Sequence, residues 1–83
     1  MKDYLNMALE IVEACSHPST VTVTDNEAVG HQMRSYREEN DVSLREIAKL
    51  MDYSPTHICD VEHGRANVSV EFMAEYLKHC NGE

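Results

Sequence analysis

The sequence predicts an all-α fold of five helices. Three observations carry this. Apolar residues recur at the i, i+3, i+4, i+7 spacing of one helical face in both the first and the last periodic stretch of the chain. Serine, threonine or aspartate stands ahead of each later stretch, where a side-chain oxygen can cap the free amides of a helix start. Between the stretches lie Asn-Asp, Asp-Tyr-Ser and a single glycine, turn chemistry that leaves short connections.

The first helix falls within residues 2–15. Leu5, Ala8, Leu9 and Val12 form one apolar stripe, and Tyr4, Met7, Ile11 and Cys15 a second beside it. Glu10 and Glu13 mark the solvated side. A helix apolar on two sides needs two surfaces to pack against. Ser16-His17-Pro18-Ser19 ends it, since proline disfavours helix in the residue before it. Residues 20–24 alternate threonine and valine but have no evident partner strand, and they read as an extended linker. The chain thus divides into an amino-terminal amphipathic helix with its linker, residues 1–24, and a helical domain, residues 25–83.

Thr24-Asp25-Asn26-Glu27 fits a capping box and opens a helix running to about Glu39, with Val29, Met33 and Tyr36 on its apolar face. Asn40-Asp41 is a turn. Ser43-Leu44-Arg45-Glu46 is a second capping box, and Leu44, Ile47, Ala48 and Met51 give the next helix its buried stripe. After Asp52-Tyr53, Ser54-Pro55 starts another helix, with serine as the cap and proline at the first helical position. Ile58 and Val61 point inward from it, and Gly64 suits its C-terminal end. Ser69 caps the last helix, where Val70, Met73, Ala74 and Leu77 form one stripe and Phe72 and Tyr76 lie on another side.

Composition narrows the function. Acidic residues outnumber basic ones fifteen to seven, a net charge of −8, and protonating all five histidines still leaves −3. Such a chain starts at a disadvantage on phosphate backbones and anionic membranes. No apolar run is long enough to span a bilayer, and the amino terminus lacks signal-peptide character, so a cytoplasmic location is expected. The three cysteines, Cys15, Cys59 and Cys80, are odd in number and form no CxxC, which predicts free thiols. Cys59 and His63 sit one helical turn apart near His57, and His79-Cys80 is a further donor pair. Neither matches a zinc-binding spacing, so no metal is expected. No Gly-rich phosphate loop, HExxH or GxSxG occurs, so no catalytic residue, enzymatic activity or cofactor is expected.

Residues 43–51, the connection Asp52-Tyr53-Ser54 and residues 55–63 make a helix-turn-helix pattern. The ordered set Met33-Arg34-x-x-Arg37, Ser43-Leu44-Arg45-Glu46-Ile47-Ala48, Ser54 to Ile58 and Val61-Glu62-x-Gly64 resembles the lambda-repressor-like, or XRE/Cro-type, helix-turn-helix family. The likeness spans residues 28 to 77. It implies a five-helix lambda-repressor-like domain here accompanied by an added amino-terminal helix, about which the family pattern says nothing.

The resemblance also implies roles. The second helix of the motif would enter the major groove of duplex DNA, with Pro55, Thr56 and Asp60 facing bases and Ser54 and His57 nearby. Ser43, Leu44, Arg45, Arg65 and Asn67 would face phosphates, helped by helix-start amides that bind anions without a charged side chain. Arg34, Arg45, Lys49 and Arg65 are the cations at hand. An arginine and a glutamate of the family pair across the fold, a role that falls to Arg37 and Glu62, and arginine's planar fork suits a two-point bond to a carboxylate. The implied function is a sequence-specific transcriptional regulator that binds double-stranded DNA, whether as repressor or activator. The alternative is a partner-binding module, for example an antirepressor, that keeps the fold without reading DNA. Charge, Pro55 and Asp60 favour that alternative, and another regulatory protein would then be the partner.

A homodimer is also expected. The surplus stripes of the first and last helices put Tyr4, Met7, Ile11, Phe72 and Tyr76 at its interface, because so small a domain has little interior in which to hide them.

Overall fold

A computed structural model describes residues 3–17 and 23–82. The expected all-α fold is the observed one. Among the described residues the helices are α1 (Tyr4–Ala14), α2 (Asn26–Glu39), α3 (Leu44–Met51), α4 (Pro55–Glu62) and α5 (Val70–Cys80). Two short extended pieces, β1 (Ser16–His17) and β2 (Val23–Thr24), pair antiparallel with Ser16 opposite Thr24 and His17 opposite Val23.

Each helix starts on a side-chain cap. Asp3, Asp25, Ser43, Ser54 and Ser69 accept from the backbone N–H three residues ahead, at 3.1 to 3.2 Å. The α2 cap lies one residue later than the capping box at Thr24 implies. Thr24 is held in the β pair, so Asp25 supplies the oxygen. The same pair corrects the linker reading at residues 23–24; Pro18 and the remainder of that linker, residues 18–22, lie outside the described residues.

The ends of α2, α3 and α4 share one device. Asp41, Asp52 and Gly64 take left-handed backbone angles, φ 56°, 59° and 75°. In each case a paired set of bonds closes the helix: Val42 N–H to Arg37 O, Tyr53 N–H to Ala48 O, and Arg65 N–H to Asp60 O, at 2.9 to 3.2 Å. These bonds satisfy carbonyls that a helix end otherwise leaves orphaned. They also turn the chain sharply enough for helices of eight residues to follow one another.

The core is built around α5, which packs against α1, α2 and α3. Met33, Ile47, Ile58, Val61, Met73, Tyr76 and Leu77 are its largest fully buried side chains. Helix α1 lies along α5 with Ala8 fully buried and Tyr4, Met7 and Ile11 partly buried against the core. Leu5 and Leu9 face outward, each about half exposed. The stripe turned to the core is therefore Tyr4, Met7, Ala8, Ile11 and Cys15. Small Ala8 lets the two helices approach, and Asn81 at the end of α5 donates to the Tyr4 hydroxyl at 2.7 Å.

Gly30, within α2, marks a close crossing with the end of α4. A Cβ there would stand 2.5 Å from the carbonyl oxygens of both Val61 and Glu62. Those are main-chain atoms at the end of α4 and cannot step aside. Gly30→Ala is expected to destabilise the protein by about 2 kcal/mol, an overpacking cost of roughly 3 offset by roughly 1 from better helix propensity. Urea denaturation measures it, and an unchanged midpoint would mean that α2 and α4 can move apart.

Candidate nucleic-acid interface

Helix α4 is fixed from its C-terminal end. Its last residue, Glu62, has a side chain only 3% exposed. Arg37 of α2 donates to it twice, Nε to Oε2 at 2.9 Å and Nη2 to Oε1 at 3.1 Å. The remaining terminal nitrogen of Arg37, Nη1, donates to the Val42 carbonyl at 2.8 Å, just beyond the turn that ends α2. Tyr76 of α5 donates its hydroxyl to Glu62 Oε2 at 2.6 Å. One carboxylate thus joins three helices.

The electrostatics around it follow from burial and proximity. Burial alone would lower the pKa of Arg37, but the hydrogen bond and charge of Glu62 outweigh it, and the net shift is upward. Burial, then the bond to Glu62 and its charge, pushes the Tyr76 hydroxyl far up, so it stays a donor. Burial pushes the Cys80 thiol up to about 12, with Arg37 opposing and Glu62 adding. The Tyr36 hydroxyl is buried without a hydrogen-bond partner among the described residues, and burial, ahead of the charges of Cys80 and Glu39, raises its pKa.

The other end of α4 faces outward. Ser54, Pro55 and Thr56 are exposed. Leu44, Pro55, Thr56, Cys59, Asp60 and Arg65 line one shallow hollow of about 310 Å³ between the start of α3 and the flank of α4. The fold therefore brings together Leu44, Pro55, Thr56, Asp60 and Arg65 from the sequence-derived set. Arg65 Nη1 stands 3.3 Å from Asp60 Oδ1 in an exposed pair. Such a pair adds little stability. It does offset the charge of Asp60 at the hollow, a feature that the five-residue spacing of Asp60 and Arg65 hints at.

Ser43 and Ser54 use their oxygens as caps and keep their hydroxyl protons for a further acceptor. Arg45 is exposed in the first turn of α3, with Lys49 one turn on. Arg34 is engaged by Glu38 at 2.8 Å on α2. Asn67 lies in the loop after α4, where Asn26 donates to its Oδ1 at 2.7 Å, pinning that loop to the start of α2.

One expected placement, that of Tyr76, is corrected, and another, that of His57, lies apart from the rest. His57 is not in the hollow. It follows Thr56 by one residue, about 100° further round the helix. Its ring stacks on Tyr53 at 5.0 Å and meets Phe72 edge-on at 6.0 Å, while Tyr53 and Phe72 meet at 5.2 Å. Three rings from three parts of the chain shelter one another, and His57 is half-buried among them. Tyr76 is not at an interface: it is wholly buried, because its hydroxyl is needed on Glu62. Tyr4, Met7 and Ile11 are partly covered by their own chain, and Phe72 is partly buried in the ring cluster.

The cysteine and histidine donors are dispersed. His63 Nδ1 lies 2.7 Å from the Cys59 carbonyl, which it can serve as donor, with the Cys59 sulfur 3.5 Å away. His79 faces Glu75 at 3.5 Å, and Cys80 is buried. Among the described residues no three His, Cys, Asp or Glu side chains converge on a point where a metal could sit. No helix among them is long and apolar enough to cross a membrane.

Residues 28–82 match a family described as the helix-turn-helix domain, of the XRE or lambda-repressor-like kind. The chain belongs to this helix-turn-helix family. Comparison with curated proteins and with solved structures finds no match. In helix-turn-helix terms α3 and α4 are the motif and α4 its recognition helix. The matched span leaves out α1.

The buried thiols and phenol of the core predict an alkaline limit. Cys80 is raised in the fold from an ordinary value of 9.0 to about 12, and Cys15 and Tyr76 are raised too, chiefly by burial. A raised folded pKa gives stability that is whole below the unfolded value and is lost as pH climbs through the folded one. The melting temperature should therefore fall between about pH 9 and about pH 12. Cys80→Ala should make the decline shallower; an identical slope in the variant would show that Cys80 carries none of it.

Proposed function

We propose that the protein is a transcriptional regulator that binds double-stranded DNA sequence-specifically through α4, with no catalytic step of its own. One observation carries the reading. In a helix-turn-helix family member, the start of α4 is exposed next to the start of α3 while its far end is anchored in the core. A helix held in that way can enter a major groove without rearrangement.

In this reading Ser54, Pro55, Thr56 and Asp60 face bases. Thr56 can touch a thymine methyl or make one hydrogen bond, and Asp60 can accept from cytosine N4. Ser43, Leu44, Arg45, Arg65 and Asn67 face phosphates. Helix α3 contributes its first amides and the positive end of its dipole, which attract phosphate even on an acidic protein. Two chains paired two-fold would set two recognition helices about 34 Å apart. The outward stripe left for such pairing is Leu5 and Leu9 on α1.

The second reading, a partner-binding module of the same fold, is favoured by charge. The chain carries −8, and two of the four cations around the motif, Arg34 and Arg65, are already paired with acids. A random-oligonucleotide selection at low salt separates the two. An enriched sequence, bound with an affinity that falls steeply as salt rises, supports DNA reading. No retention at low salt supports the partner-binding reading.

Arg65→Glu is expected to lower affinity on all sequences alike and to reduce the salt slope by about one contact, whereas Thr56→Ala should change which sequence is preferred. Asp60→Asn should raise non-specific affinity by releasing Arg65. Normal operator binding by Arg65→Glu, measured by mobility shift, would move the footprint away from this hollow.

A further inference from the structure

A second hollow lies away from the one proposed to face DNA. It is an open groove of about 520 Å³ between the end of α3 and one face of α5, from Ser69 to His79. Leu50 and Tyr53 stand at its edge, 54% and 46% exposed, and Phe72 and Met51 continue the apolar lining. Leu50 and Tyr53 are large apolar groups left in water, a feature that marks interaction surfaces when they gather.

Charge selects the occupant. The groove is lined by Glu71 and Glu75 and by no lysine or arginine; its one basic group, His79, faces Glu75 at 3.5 Å. A nucleic acid backbone is repelled by two carboxylates. A second copy of this chain is disfavoured as well. Its own outward apolar residues are Leu5 and Leu9 on α1, a helix with Glu10 and Glu13 and no lysine or arginine, and Leu50 and Tyr53 of this same groove, whose pairing with itself would set Glu71 and Glu75 against their own copies. What fits is an apolar stripe flanked by positive charge.

We infer that this groove docks a short, basic, amphipathic segment of a partner protein, with apolar side chains on Leu50, Tyr53 and Phe72 and lysines or arginines against Glu71 and Glu75. An amphipathic helix laid in a groove is a common form of such recognition. The site lies at the opposite end of α3 from the DNA-facing hollow, about 12 Å of helix away, so a partner and DNA can be bound together. It goes beyond the DNA reading and succeeds or fails independently of it. It also touches the recognition helix indirectly: Tyr53 and Phe72 are the rings against which His57 of α4 packs. A docked segment bears on residues directly behind α4.

The test uses the whole 83-residue chain, isotope-labelled for NMR. The probe is a synthetic helical peptide with leucines at i, i+3, i+4 and i+7 and lysines between them, alongside the same peptide with glutamate for every lysine. Addition of the basic peptide is expected to shift the amide signals of Leu50, Tyr53, Phe72 and Glu75, and the acidic peptide to shift none. The double variant Glu71→Gln/Glu75→Gln should weaken binding about tenfold, while Glu10→Gln/Glu13→Gln, which changes net charge equally on α1, leaves affinity unchanged. All four glutamates are exposed, so neither variant should disturb the fold. Equal weakening by both variants would reduce the effect to general charge attraction and overturn the proposal. So would shifts centred on another surface, or concentration-dependent shifts at Leu50 and Phe72 without peptide, which would make a second copy the occupant.

Discussion

A carboxylate removed from water is costly unless its oxygens are fully occupied. Glu62 meets that condition with three hydrogen bonds, two from Arg37 and one from Tyr76. The guanidinium in turn serves both Glu62 and the Val42 carbonyl. Each group is buried only because the others are. The arrangement therefore specifies where the end of α4 must lie relative to α2 and α5, more narrowly than apolar contacts alone would, because fork geometry tolerates little displacement. Gly30 makes the same demand sterically, since it admits the Val61 and Glu62 carbonyls to within 2.5 Å of where a side chain would begin.

The functional surface inherits this placement. With its C-terminal end pinned, an eight-residue helix has little freedom to tilt, and its exposed start is presented at a set angle beside α3. Polarity is arranged accordingly. Acidity dominates the chain as a whole, yet the hollow beside α4 holds Asp60 already matched by Arg65, and the first turn of α3 carries Arg45. Glu71 and Glu75 lie instead on the groove at the other end of α3. A small acidic domain can in this way keep two faces of different character on one short motif.

Much of this was legible in sequence because helix capping is local chemistry. Ser43, Ser54 and Ser69 announce their helices within a four-residue window, and Gly64 announces the end of α4. What escaped depended on contacts between distant segments. Both stripes of α1 are apolar, so periodicity alone could not say that Leu5 and Leu9 face outward. That choice is made by Ala8 and by the Tyr4–Asn81 bond, 77 residues apart in sequence. Tyr76 has an apolar ring and a polar tip, fit for surface or interior, and only the position of Glu62 decides. His57 packs on rings contributed from Tyr53 and Phe72, a contact that spacing along α4 does not announce. The cap of α2 moved from Thr24 to Asp25 because a two-residue strand pair, too short to leave a pattern, claimed the threonine. Gly30 did carry a signal: glycine in mid-helix costs about 1 kcal/mol against alanine and calls for a packing reason.

The most direct measurement is a double-mutant cycle on the unfolding free energy, with Arg37→Met, Glu62→Met and both together. Each single change leaves a buried polar or charged group without its partner and should cost about 3–5 kcal/mol. Replacing both with side chains of similar length should cost far less than the sum, a coupling of at least about 2 kcal/mol. Additive effects, with coupling near zero, would contradict the claim that this buried pair holds α4 in place.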